Sequence, residues 1–134
     1  MPYVGAVITV LIVEDEPHIV ELVRITLEDD RLRVLDAPDG AAALATAERE
    51  RPELIFLDVN LPDMSGLEIC RYIRATASLA EARIVMLSAA AQRDDVARGL
   101  AAGADLYLTK PFSPVRLLSV VEELLPGALR WVHP

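Results

Sequence analysis

One cysteine, Cys70, in 134 residues excludes an internal disulfide framework and a cysteine metal cluster. Cys70 is expected to be buried as a small apolar residue. Only two histidines are present. His18 and His133 have no partners at ligand spacing, so surface positions are expected. Aromatic residues make up 4% of the chain. No apolar run approaches the roughly 18 residues a membrane span needs. The N-terminus lacks a basic stretch followed by an apolar run and a cleavage site, so no signal peptide is read and a cytoplasmic location is the default. Positive charge is also scarce: 13 Lys and Arg stand against 21 Asp and Glu, a formal net charge of −8. With no basic patch, a nucleic-acid footprint in this chain is excluded.

What is present is apolar and regularly punctuated. The hydrophobic fraction is 53%, and the length suits one domain with a sizeable core. The centre of the sequence is Leu54-Ile55-Phe56-Leu57-Asp58, an apolar run without polar alternation that ends in an acid. Such a run reads as a strand buried on both faces. A turn containing Pro62 and Gly66 follows, then a helical pattern. Similar strands are expected over residues 7–13, 33–37, 83–88 and 105–109, with the alternating second one nearest an edge. Helices are expected from Pro17, from Asp39 or Gly40 to about Glu50, around Leu67, Cys70, Ile73 and the Arg74 stem, and over 92–102 with Gly103 as C-cap. A last helix is capped by Ser113, with Val115, Leu118, Val121 and Leu125 as its buried face.

Strand and helix thus alternate five times, which implies an α/β fold: a single doubly wound (βα)5 parallel sheet with helices on both faces. Right-handed crossovers leave few strand orders, of which 2-1-3-4-5 is flavodoxin-like. One domain spans 9–125. Residues 1–8 hold an extension and the start of the first strand, and 126–134 form a tail containing Trp131, for which the sequence offers no role.

In that order the strand ends converge. Glu14 and Asp15 follow strand one, Asp58 strand three, Ser88 strand four and Lys110 strand five. Clustered carboxylates repel and need a cation, and an all-oxygen set suits a hard ion such as Mg²⁺. A lysine, a hydroxyl and open coordination positions suit phosphoryl oxygens, and a carboxylate can itself attack phosphorus. Glu16 is read as favourable charge at a helix N-terminus and left out of the site.

At this point the chain resembles the receiver domain of two-component response regulators, over about Thr9 to Leu125. The motifs are Val13-Glu14-Asp15-Glu16, Asp58-Val59-Asn60-Leu61-Pro62 with Gly66, Leu87-Ser88-Ala89, Gly103-Ala104-Asp105 and Lys110-Pro111-Phe112. The resemblance implies that Asp58 accepts a phosphoryl group from a sensor histidine kinase or phosphotransfer protein. It implies that Asp15, Asp58 and the Asn60 carbonyl bind Mg²⁺, with Glu14 acting through metal-bound water. Lys110 would pair with the phosphoryl group, and its bond to Pro111 would be cis. Ser88 and Tyr107 would be the switch pair, shifting the face of helix four, strand five and helix five. Asn60 and Ala90 would flank the water path that sets phosphate lifetime. The expected entity is a switch that promotes its own phosphorylation and dephosphorylation, not a turnover enzyme. It would contact a downstream effector or an output domain, with a possible phosphorylation-dependent homodimer. Leu106, where many relatives carry a second acid, weakens the charged form of that dimer.

Three other readings fit the residues less well. A degenerate receiver acting only as a binding module would fold without being phosphorylated, which the intact acids, hydroxyl and lysine argue against. A dehalogenase-like phosphatase also uses a strand-end Asp with Mg²⁺, but on its first strand and with Asp-x-Asp, where Asn60 stands here. A flavodoxin-like cofactor binder would meet Glu14-Asp15-Glu16, which repel a phosphate.

Overall fold

Strands form where β-branched and apolar residues run uninterrupted, and the computed structural model, which describes residues 7–89 and 93–129, bears this out. The elements in order are β1 (Ile8–Val13), α1 (Pro17–Leu27), β2 (Leu32–Ala37), α2 (Gly40–Glu50), β3 (Leu54–Asp58), α3 (Gly66–Ala75), β4 (Arg83–Ser88), α4 (Arg93–Ala101), β5 (Leu106–Thr109) and α5 (Pro114–Leu124). The strands pair in parallel in the order β2-β1-β3-β4-β5. The interior strands β1 and β3 are buried along their whole length, whereas edge strand β2 alternates buried and exposed residues.

Side chains of successive strand residues point to opposite faces, so the sheet separates two cores. Val10, Ile12 and Phe56 pack with Ile19, Val23 and Leu27 of α1 and Leu117, Val120 and Val121 of α5. Leu11, Val13, Ile55 and Leu57 pack with Ala43 and Ala47 of α2 and Ile69, Cys70 and Ile73 of α3. Cys70 is buried, as its sequence setting suggests.

The structure corrects several details. Val115 is 76% exposed and Leu118 only half-buried, and the buried face of α5 is Leu117, Val120 and Val121, with Leu125 just beyond. Two apolar stripes about one residue apart fit helical spacing here. Packing against the sheet and α1 selects the stripe of Leu117, Val120 and Val121. On α3, Leu67 is half-buried and Ile69 takes the core position. Leu22 of α1 is likewise half-buried. Arg74 does more than lend an alkyl stem: its guanidinium donates to the carbonyls of Gly103, Ala80 and Ala82 and to Asp105 Oδ2. Gly103 has φ +112°, the left-handed conformation of a helix C-cap. After α5 the chain turns back, and Ala128 and Leu129 are buried in the α1–α5 core. Trp131, His133, Ala90 and Gln92 lie outside the described residues. No helix among the described residues is long and apolar enough to cross a membrane.

Candidate functional site

Parallel strands end together, and four of these carboxyl ends deliver polar groups to one edge. Asp58 is the last residue of β3 and is 4% exposed. The β1–β3 register pairs Val13 with Leu57, which sets Glu14 level with Asp58. Ser88 ends β4 and Thr109 ends β5 as direct partners, and the Lys110 amide donates to the Ser88 carbonyl at 2.8 Å.

Lys110, the only lysine in the chain, stands at the centre of the charge. Its Nζ lies 2.5 Å from Glu14 Oε1, 3.3 Å from Asp58 Oδ2 and 3.3 Å from Glu16 Oε1. Burial alone would pull its pKa down, but the hydrogen bond to Glu14 and the charges of Asp58 and Glu14 outweigh that and hold it above the ordinary lysine value. The balance around Glu14 goes the other way. Its side chain is fully buried, and desolvation raises its pKa to about 7, helped by the Asp58 charge and opposed by the Lys110 hydrogen bond. One ammonium does not neutralise this many carboxylates.

The turn after Asp58 is closely built. The Asn60 amide donates to Asp58 Oδ1 at 3.0 Å, the Gly66 amide donates to the Val59 carbonyl at 2.9 Å, and Asn60 and Ser65 form an isolated antiparallel bridge. A side chain at position 66 would overlap the Asp58 carbonyl, so only glycine lets α3 start this close to β3. The Lys110–Pro111 peptide is cis.

Carboxylate oxygens of Glu14, Asp15 and Glu16 all lie within 4.8 Å of one another. This differs from the sequence reading in one respect: Glu16 joins the cluster, while Asp58 meets it through Lys110. Glu16 is the N-cap residue of α1, but its side chain makes no capping bond. It turns instead to Lys110 and to the exposed His18, whose Nε2 is 3.3 Å away. Its partner lies 94 residues downstream, beyond any local sequence signal. A divalent cation fits what is here: every donor is a carboxylate or carbonyl oxygen, as a hard ion prefers, and three carboxylates whose oxygens lie within 4.8 Å of one another carry a mutual repulsion that such an ion relieves. Tyr107 is half-buried on β5 opposite Met86, with Gly99 of α4 beside its ring.

Comparison with known proteins gives a consistent result. The family model "Response regulator receiver domain" matches residues 10–122. The chain is 42% identical over 116 residues to the alkaline phosphatase synthesis transcriptional regulatory protein PhoP of Bacillus subtilis, covering 87% of this chain and 48% of that protein. Among solved structures, the chemotaxis response regulator CheY4 of Vibrio cholerae superposes with a TM-score of 0.84 at 35% identity, covering 90% of this chain and all of that one. The BeF3-activated DrrB receiver domain gives 0.80 at 34% identity, with 89% and 97% coverage. The chain spans about half the length of the curated relatives it matches.

Proposed function

The chain belongs to the response regulator receiver domain family of two-component systems, and we propose that it is switched by phosphorylation of Asp58. The observation that carries this reading is the buried Asp58 carboxylate at a strand end, with Lys110 Nζ 3.3 Å from one oxygen and the Asn60 amide 3.0 Å from the other. The donor is a phosphohistidine on a sensor kinase or phosphotransfer protein. A carboxylate oxygen of Asp58 forms the bond to phosphorus, the phosphorus–nitrogen bond breaks, and the released imidazole nitrogen takes up a proton.

Each residue of this chain then has a defined task. Asp58 is aimed by the Asn60 amide and shielded from bulk water by burial, which strengthens electrostatic interactions around it. Lys110 supplies a positive charge where phosphoryl oxygens gather, replacing its contact to Asp58 with one to the phosphoryl group. Asp15, Asp58 and the Asn60 carbonyl would hold Mg²⁺, with Glu14 acting through metal-bound water and Glu16 as an added acidic neighbour. When bound there, such an ion would supply charge neutralisation for the phosphoryl group. Ser88 lies at the next strand end to donate to a phosphoryl oxygen, and Tyr107 is the aromatic whose packing follows it. The α4–β5–α5 face then carries the state to a downstream effector or to an output domain beyond this sequence, in the cytoplasm, without turnover of a separate substrate.

Incubation with acetyl phosphate and Mg²⁺, read by intact mass, tests the reading. One phosphate adduct is expected, absent with EDTA and absent in Asp58→Asn. A folded protein that takes no adduct while a control receiver does would favour the binding-module reading.

A further inference from the structure

The loop after Asp58 is tied to a helix it does not belong to. Asp63 stands near the tip of the β3–α3 connection, and both its carboxylate oxygens face the first turn of α2. Oδ1 accepts from the Gly40 amide at 2.8 Å and Oδ2 from the Ala41 amide at 3.0 Å. A helix start leaves its first N–H groups without intrahelical partners. The side chain of the helix's own N-cap, Asp39, takes the Ala42 amide, at 2.8 Å, and its carbonyl takes the Ala43 amide, at 3.0 Å. Two further donors are therefore satisfied by a residue more than twenty positions later, and the acid also meets the positive end of the helix dipole. These two amides hold the Asp63 carboxyl below the usual carboxylate range.

Packing reinforces the link. Gly40 is buried against Met64, and a side chain at position 40 would overlap the Met64 thioether. Pro62 and Asp63 are exposed, and Leu61 and Met64 on either side of them are half-buried against the core, so the polar hold on the loop tip is the Asp63 carboxylate. At its base the same loop carries Asn60, whose amide orients Asp58 and whose pairing with Ser65 closes the turn. The polar ties of the segment are thus at its base, around Asp58, and at its tip, where Asp63 joins α2, with Leu61 and Met64 packed against the core between them.

We propose that Asp63 is a positioning residue for the phosphoryl-accepting site, holding the Asn60 turn against Asp58 by anchoring the loop on α2 and thereby setting the affinity for the divalent cation. This rests on the reading of Asp58 given above. Asp63 acts through the loop and does not touch the reacting atoms. Residues that orient the groups around a metal change its affinity by about 10–100-fold when removed.

The test compares Asp63→Ala, Asp63→Asn and Asp39→Ala. The last removes a cap from the same helix without touching the loop. Three readouts are taken: the Asn60 amide resonance in metal-free protein, Mg²⁺ affinity by titration, and adduct formation with acetyl phosphate. Asp63→Ala should move the Asn60 amide resonance and weaken Mg²⁺ binding about 10-fold. Asp63→Asn, which keeps one acceptor oxygen, should fall between it and the wild type. Asp39→Ala should lose thermal stability yet bind Mg²⁺ as the wild type does. Unchanged Mg²⁺ affinity in Asp63→Ala, or an equal loss in Asp39→Ala, overturns the proposal. If the wild type neither binds Mg²⁺ nor takes a phosphate, the assignment of Asp58 fails. The Asn60 amide still decides Asp63's role in the loop: an unmoved resonance in Asp63→Ala refutes it.

Discussion

At the scale of single residues, the site is a charge imbalance held in a buried place. Glu14 has a folded-state pKa of about 7 against an ordinary value of 4.5. An acid with a raised pKa binds its proton more tightly in the native than in the unfolded state. Its contribution to stability is therefore lost as pH rises from about 4.5 to 7 and is constant above that. In EDTA, the metal-free protein should lose on the order of 2 kcal/mol from this group across that window. Glu14→Gln should flatten that part of the profile and be the more stable protein at pH 8, as urea titrations at several pH values would reveal. A wild-type profile with no such fall would mean that Lys110 already compensates Glu14. The strand-end positions of Asp58, Ser88 and Lys110 were legible in the sequence because each stands at the close of a largely apolar run. Glu16 and Asp63 were not, because their partners are a lysine 94 residues later and two amides of a helix more than twenty residues earlier. Local patterns carry no trace of such contacts.

At the scale of elements, β1, β3 and β4 were visible as apolar runs and the edge strand β2 as an alternating one, and the strand ends shifted by a residue at most. Helix phase was harder to read. On α5 two stripes share Val121 and Leu125, and only packing on the sheet chooses between Leu117 and Val115. The choice is measurable. Leu117→Ala removes a fully buried side chain and should cost about 2–5 kcal/mol. Val115→Ser, at an exposed position, should stay within about 0.5 kcal/mol. Chemical denaturation of the two variants distinguishes them, and the reverse ranking would mean that α5 is rotated from the orientation described. The tie between α3 and the α4–β5 turn through Arg74 was also hidden, since an arginine on a helix ordinarily reads as solvated. Here it closes three carbonyls and one carboxylate at once.

At the scale of the whole molecule, a sheet with apolar layers on both sides brings a strongly acidic edge into being. The chain carries a net charge of −8, and four of its acids, Glu14, Asp15, Glu16 and Asp58, meet where the strands end. A cation that binds only the folded state stabilises it by mass action, by about 2.7 kcal/mol at a hundred times its dissociation constant. Mg²⁺ should therefore raise the melting temperature where NaCl of equal ionic strength does not, and the increment should vanish in Asp15→Asn. Equal effects of the two salts would indicate simple screening of the surface. The claim on which the account turns is that Asp58 is the acceptor, and borohydride trapping tests it most directly. An acyl phosphate is reduced by borohydride to the corresponding alcohol, which marks the modified carboxyl permanently. After acetyl phosphate, Mg²⁺ and borohydride, peptide mapping should find homoserine at position 58 and nowhere else. Homoserine absent from position 58, with a reduced acid at position 14, 15 or 16 instead, would contradict the account.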